Sequence, residues 1–279
     1  MVKAPRQRPS ELIREAQLTR SKVMVVEGHD DKRFFEEWLQ TVLPTGRVTI
    51  VPVDFVDVDP QEVIRRGLNE GCRSSVIVLA HLAQAHVAEI LCVADRDTGA
   101  HCDEFAVASL RFTDFPALES YCLDQVTLNT VRNVALREKI PPVADFMPGL
   151  EFALRELFAV RCMHPNLPKP NYAKGISKQG TGLMGFDVAA AMEPGMSALC
   201  ASYERTTSTD SRSYAYGHDI SELLFAQYKN QLKNGCGIAR PEALEAVFRI
   251  AMLATKSFEE EPFFKSIIEW YKTPREGAR

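Results

Sequence analysis

Two short apolar runs, each ending in acidic residues, constrain the fold of this chain more than any other feature. The first run leads into Glu27, with Asp30 and Asp31 just beyond, and the second leads into Asp95 and Asp97. An apolar run of this length is typical of a buried β-strand. The sequence therefore predicts two strands that each carry carboxylates at their carboxyl ends.

Strand-like and helix-like segments alternate through the first half of the chain. Apolar runs predict strands over 22–26, 48–55, 88–94 and 105–112, and helical spacing predicts helices over 10–19, 30–42, 60–71 and 74–86. The apolar residues 76–79, taken alone, also fit a strand. The alternation predicts an α/β fold with a mostly parallel, Rossmann-like sheet. Ligands of such sheets bind beyond the carboxyl ends of the strands, where Glu27 and the Asp95/Asp97 pair are expected.

The second half of the chain has a different character. After Asp124, helical patterns follow one another over 126–140, 150–162, 188–203, 219–232, 241–256 and 260–272, separated by Gly- and Pro-rich joints. We therefore predict an α/β domain over 1–124, including a short N-terminal helix, and a helical C-terminal domain over 125–279. The Gly-rich basic stretch 165–185 is a long loop of the kind that is often functional.

The charge is unevenly distributed. The chain has a formal net charge of −4, but residues 27–124 contain 18 Asp/Glu against eight Lys/Arg, whereas residues 125–186 contain eight Lys/Arg against four Asp/Glu. An acidic centre filled by a metal and flanked by basic segments could hold a polyanion. Ordinary variation of surface charge is the alternative interpretation.

Composition excludes several classes of protein. No apolar stretch approaches the ~20 residues that span a bilayer, and the polar, basic N-terminus lacks the apolar core of a secretion signal. The seven cysteines form no CxxC pair, which favours reduced thiols over a disulfide framework or a zinc site. We expect a cytoplasmic protein without a membrane segment.

Carboxylates grouped at strand ends suit phosphoryl-transfer chemistry. Phosphodiester cleavage requires neutralisation of the non-bridging oxygens and an activated water, and carboxylate-bound Mg²⁺ can provide both. Asp-x-Asp alone is a weak signal, because Asp95 and Asp97 could also pair with Arg96 or Arg111. Its combination with Glu27 makes a divalent-metal site the stronger interpretation.

The pattern of a strand, Glu27-Gly28 and a helix, followed later by a strand with Asp95 and Asp97, resembles the TOPRIM domain of topoisomerases, primases and nucleases. Segments 26–35, 95–97 and 114–121 resemble the OLD-like TOPRIM family, which includes the effector of the PARIS anti-phage system. Residues 22–124 carry the resemblance, and Gly217-His218-Asp219 adds a short C-terminal match. The resemblance implies Mg²⁺, or Mn²⁺, on Asp95 and Asp97.

The same resemblance assigns the other roles. It implies that Glu27 acts as general acid/base or second-metal ligand, assisted by Asp31 and Glu119. It implies a nuclease that cuts RNA such as tRNA, or DNA, as a toxic homodimeric effector of anti-phage defence, working with an ABC- or AAA-type ATPase. Arg96, Lys174, Lys178 and His218 are candidate substrate-binding residues.

Each assignment has a plainer alternative. Glu119 could be an ordinary helix-surface acid, His218 could simply begin a helix, and the two lysines could merely keep a loop soluble. At the level of the whole chain, one alternative is a non-catalytic regulatory subunit of an ATPase complex, and another is a housekeeping RNA-processing TOPRIM enzyme.

Overall fold

The chain divides into two compact units that interleave along the sequence. The computed structural model describes residues 6–44, 47–164, 167–176, 182–192 and 208–274. The first unit comprises Met1–Arg96, His101–Asp114 and Glu259–Arg279, and the second comprises Asp97–Ala100 and Phe115–Phe258. These units do not coincide with the predicted ranges 1–124 and 125–279.

The first unit contains a four-stranded, all-parallel sheet, which confirms the predicted α/β class. The strand order is β2-β1-β3-β4. The strands are β1 (Lys22–Val26), β2 (Val48–Pro52), β3 (Ile90–Ala94) and β4 (Leu110–Phe112). The inner strands β1 and β3 are buried along their whole length, as expected of a parallel sheet with both faces covered.

Five helices accompany this sheet: α1 (Pro9–Thr19), α2 (His29–Val42), α3 (Pro60–Arg65), α4 (Cys72–Leu82) and α11 (Pro262–Lys272). The apolar residues 76–79 lie inside α4 and not in a strand. The predicted second and fourth strands are shorter than expected. Val53–Phe55 turns into a 3₁₀ helix after β2, and only Leu110–Phe112 pairs with β3.

Helix α11 belongs to the first unit because its side chains complete that unit's core. Phe264 is fully buried and its ring centroid lies 5.0 Å from that of Trp38. The Trp270 indole N–H donates to the Val87 carbonyl at 2.7 Å. The ammonium of Lys22, a buried residue at the start of β1, donates to the Trp270 carbonyl at 2.6 Å. The chain therefore returns to its first unit after about half its length has formed the second.

The second unit is helical. Its helices are α5 (Gln125–Thr130), α6 (Val143–Met163), α7 (Tyr172–Gly175), α8 (Val188–Ala191), α9 (Gly217–Gln227) and α10 (Pro241–Thr255). Single π-helical turns follow α5 at Val131–Ala135 and α9 at Gln231–Gly235. Much of the predicted helix 188–203 lies outside the described residues. Among the helices that are described, none is both long and apolar enough to cross a membrane.

Candidate active site

The sheet of the first unit reverses its order of connection between β1 and β3. The chain passes from β1 to β2 on one side, and it later returns to place β3 on the other side. In open parallel sheets, ligands bind at the carboxyl ends of the strands beside such a reversal. Glu27 follows β1 directly, and Asp95 follows β3 directly.

Glu27 and Asp95 are in contact at this position. The Glu27 Oε1 atom accepts a hydrogen bond of 2.7 Å from the Asp95 backbone N–H. Both residues are half-buried. This bond connects the carboxyl ends of β1 and β3 and holds the Glu27 carboxylate beside Asp95. The structure thus brings together the leading residues of the two clusters that the sequence singles out.

Asp31 closes the first turn of α2 beside Glu27. Its Oδ2 atom accepts a 3.0 Å hydrogen bond from the Gly28 N–H, so that it caps the start of the helix. A carboxylate in this position is also favoured by the helix dipole. Gly28 has φ −138°, which is extended backbone open to any residue. Asp31 therefore has a structural role in addition to the catalytic role that the resemblance implies.

Sequence reasoning missed a third strand-end acid, Asp54. It lies just beyond β2, and its Oδ2 atom is 3.3 Å from His29 Nε2. The His29 ring packs edge-on against Phe55, with centroids 5.4 Å apart. The predicted strand 48–55 placed Asp54 inside the strand, and Asp54 is a strand-end acid only because β2 ends at Pro52.

The pKa of the Cys72 thiol, at the start of α4, reflects the negative charge of these carboxylates. Cys72 is exposed overall, but partial desolvation raises the pKa of its thiol, and the carboxylates of Glu27, Asp54 and Asp31 raise it further. Three carboxylates from two sequence segments, 27–31 and the stretch just after β2, therefore act on one atom. Such a grouping of acids favours a bound cation that offsets their mutual repulsion.

Arg73 is a second residue that the sequence did not reveal. Its Nε donates to the Asp95 carbonyl at 2.7 Å, and its Nη2 donates to the Arg96 carbonyl at 3.3 Å. Its guanidinium also lies 5.4 Å from the centroid of the Phe112 ring. Arg73 thus holds the main chain that presents Asp95. A side chain that bonds to a distant main chain leaves no periodic signal in the sequence.

Asp97 and Glu119 belong to the second unit. Asp97 has a left-handed backbone, with φ 54°, and its N–H donates to the Pro116 carbonyl at 2.9 Å. Glu119 is buried and forms an ion pair with Arg249. A Cβ atom at Gly217 would collide with the Glu119 carboxylate, so Glu119 packs directly on the start of α9. Glu119 therefore has a structural partner within this unit.

His218 lies next to Gly217 and is paired with a buried acid. Its Nδ1 is 2.9 Å from Glu245 Oε1, which also accepts a 2.8 Å bond from the Ser221 hydroxyl. The hydrogen bond with Glu245 raises the pKa of His218 above its ordinary value. The role of His218 in substrate binding stays a prediction.

The remaining predicted substrate-binding residues are exposed or undescribed. Arg96 is exposed beyond β3, and its backbone N–H donates to Thr113 Oγ1 at 2.8 Å. Lys174 is exposed in α7. Lys178 lies outside the described residues.

The carboxylates suit a hard divalent cation, but they do not form a closed cage. Across the described ranges, no group of three or more His, Cys, Asp or Glu side chains is arranged to hold a metal ion. Mg²⁺ usually retains several waters and binds through one or two carboxylates together with substrate phosphates. The pair Glu27 and Asp95 fits that mode of binding and not an all-protein cage.

Comparison with known proteins assigns no family. No protein-family model matches this chain, and no curated protein matches it either.

Proposed function

We propose that this protein is a Mg²⁺-dependent nuclease whose active site lies at the carboxyl ends of β1 and β3. The observation that carries the proposal is the contact between Glu27 and Asp95 where the order of the strands reverses. Asp31 and Asp54 add negative charge to the same edge, as the raised pKa of Cys72 indicates. Mn²⁺ would serve in place of Mg²⁺, because both prefer oxygen ligands.

The candidate residues have distinct tasks in this proposal. Bound Mg²⁺ would neutralise the scissile phosphate and lower the pKa of a water. Asp95 would hold the ion. The resemblance adds Asp97, two residues further along the chain, as a second ligand. Glu27, oriented by the Asp95 N–H, would accept the proton of the attacking water or hold a second ion. Arg73 would keep the Asp95 main chain in place.

The biological setting is proposed from the resemblance to OLD-like TOPRIM proteins. We propose a toxic effector of bacterial anti-phage defence that cuts tRNA, other RNA or DNA, acts with an ABC- or AAA-type ATPase, and forms a homodimer. The resemblance also supports Glu119, Arg96, Lys174, Lys178 and His218 as auxiliary residues. The ion pair with Arg249 supports a structural task for Glu119.

Two substitutions at Glu27 separate catalysis from folding. Glu27→Gln keeps an oxygen that can accept the Asp95 N–H but removes the negative charge, whereas Glu27→Ala removes both. We expect either change to reduce Mg²⁺-dependent cleavage of tRNA, single-stranded DNA or duplex DNA by on the order of 10²-fold or more. Only Glu27→Ala should lower stability, by about 1–2 kcal/mol for one partly exposed, charge-assisted bond.

Glu37→Gln is the matched control, because Glu37 is an exposed acid on α2 and undergoes the same chemical change. Its cleavage rate should equal that of the wild type. The nuclease proposal fails if wild-type protein, alone and with its genomic ATPase neighbour, cleaves none of these substrates in Mg²⁺ or Mn²⁺. It also fails if Glu27→Gln cleaves as fast as the wild type.

A second candidate is a non-catalytic regulatory subunit of an ATPase complex. The observation that favours it is the lack of a three-ligand metal group among the described residues. This candidate predicts Mn²⁺ binding without turnover, and binding to the ATPase that Glu27→Gln leaves unchanged. A housekeeping RNA-processing enzyme would instead cleave a precursor RNA and would not be toxic when expressed.

A further inference from the structure

The second unit contains an open cavity that neither Glu27 nor Asp95 lines. Its volume is about 640 Å³, which lies within the range of small-molecule sites. Its walls include α7, Ala191, Met192 and residues of α9. Lysines, an asparagine and two aromatic side chains line it, namely Lys169, Lys174, Lys229, Asn171, Tyr172 and Phe225.

The α7 wall is held in place by bonds independent of any ligand. The Tyr172 hydroxyl donates to Asp219 Oδ1 at 2.6 Å, and Asp219 is also held by Arg161 through bonds of 2.6 and 3.0 Å. The Asn171 N–H donates to the Ala191 carbonyl at 2.7 Å. A short helix fixed at its start and through a buried network is largely preorganised, which lowers the entropic cost of binding.

The charge at the cavity is positive. Lys169 forms an ion pair with Glu222, so these two charges offset each other. Lys174 and Lys229 are exposed, and neither has a carboxylate within ion-pair distance in the part of the chain that the structure describes. Lys233 lies nearby, with its ammonium 5.8 Å from the centroid of the Phe225 ring. Lysine ammonium groups bind phosphate as point charges.

Part of the cavity lining, called its floor below, is apolar. Tyr172 and Phe225 are buried and line it together with small alanine side chains. A ligand that matches both features has a flat, weakly polar part for the floor and a phosphate chain for the lysines. Inorganic phosphate satisfies only the second feature, and an uncharged aromatic compound satisfies only the first.

We propose that this cavity binds a nucleotide, with Lys174 and Lys229 on its phosphates and its base against the apolar floor. The nucleotide could be free or could be the 5′-phosphorylated end of a nucleic-acid strand. Every residue that carries this site lies in the second unit, whereas Glu27 and Asp95 lie in the first; Lys174 is shared with the candidate substrate-binding residues of the nuclease proposal.

The test uses the full-length chain in EDTA, so that no divalent ion supports binding at the strand ends. Calorimetric titration with ATP, AMP, inorganic triphosphate and a 5′-phosphorylated tetranucleotide distinguishes a free nucleotide from a strand end and from phosphate alone. We expect a nucleotide or the tetranucleotide to bind at least tenfold more tightly than triphosphate. Lys174→Glu and Lys229→Glu should each weaken that binding by about tenfold or more.

Lys256→Glu is the matched control, because Lys256 is an exposed lysine of the same unit that does not line the cavity. It should bind as the wild type does. Stronger binding of ATP or AMP than of the tetranucleotide would identify a free nucleotide, and the reverse would identify a strand end. The proposal is overturned if none of the four probes binds, if triphosphate binds as tightly as the nucleotides, or if all three lysine variants bind equally. None of these results depends on cleavage, so they leave the nuclease proposal standing.

Discussion

Phe264 gives the sharpest test of how the first unit is assembled. Its side chain is fully buried in α11 and packs edge-on against Trp38 and Phe263, with ring centroids 5.0 and 4.9 Å apart. It also contacts Phe34 and Phe35, with centroids 6.3 and 6.4 Å away. One residue near the end of the chain is thus surrounded by rings from α2.

The expected cost of Phe264→Ala is large. Replacement of a buried phenylalanine by alanine typically costs about 3–5 kcal/mol, because both the transfer free energy and a cavity contribute. Domains of this size are stable by about 5–15 kcal/mol in total. The substitution should therefore remove a major part of the first unit's stability. Phe264→Leu retains most of the volume and should cost about 1 kcal/mol.

The chain offers a specific probe for this measurement. It contains two tryptophans, Trp38 and Trp270, and both lie in the first unit. Tryptophan fluorescence during urea unfolding therefore reports on that unit. We expect the midpoint to fall strongly for Phe264→Ala and slightly for Phe264→Leu. If Phe264→Ala leaves the tryptophan transition unchanged, α11 does not belong to the first unit's core, and the assignment of residues 259–274 to that unit is wrong.

Three further predictions concern single contacts. Asp219→Ala leaves the guanidinium of Arg161 without its buried partner, and calorimetry should show a loss of about 3–5 kcal/mol. Burial acts to raise the pKa of Glu245, but hydrogen bonds from His218 and Ser221 lower it overall, while the Glu245 bond raises the pKa of His218. The Glu245–His218 pair therefore stabilises the fold most between pH 4.5 and pH 6.5, the ordinary pKa values of glutamate and histidine. The difference in melting temperature between wild type and His218→Gln should shrink as the pH rises above 6.5, because His218 then loses its proton. A difference that grows with pH would contradict this reasoning. Arg73→Ala should lower Mg²⁺-dependent cleavage by on the order of tenfold while costing about 1 kcal/mol in urea unfolding, and an unchanged rate would show that its bond to the Asp95 carbonyl does not position the site.

Much of the fold was accessible from local patterns. The apolar runs at β1 and β3 gave both strands, because a strand buried on both faces must be apolar throughout. Segment 74–86 was correctly favoured as helical, and its length decided against a short strand. The shortening of β2 and β4 could not be predicted from the sequence, because it depends on where the hydrogen bonds to the neighbouring strands end.

The candidate site could be predicted only in part from the sequence. Glu27 and Asp95 follow from the strand-end rule, whereas Asp54 does not, because it lies inside the predicted strand 48–55 and reaches a strand end only in the shorter β2. The role of Arg73 could not be predicted, because its hydrogen bonds go to main-chain carbonyls that are distant in sequence. Local sequence also gave no sign that Glu119 pairs with Arg249.

The sequence by itself determined the element types and the two acidic strand ends, because hydrophobic periodicity and strand-end acids are local properties. The tertiary structure decided which segments share a core and which charges meet. It placed α11 with the sheet through aromatic packing against α2 and through the bonds of Lys22. It also assembled the lysine-lined cavity from α7 and α9. Such pairings depend on long-range burial and ion pairing, whose free energy is realised only when distant segments of the chain meet.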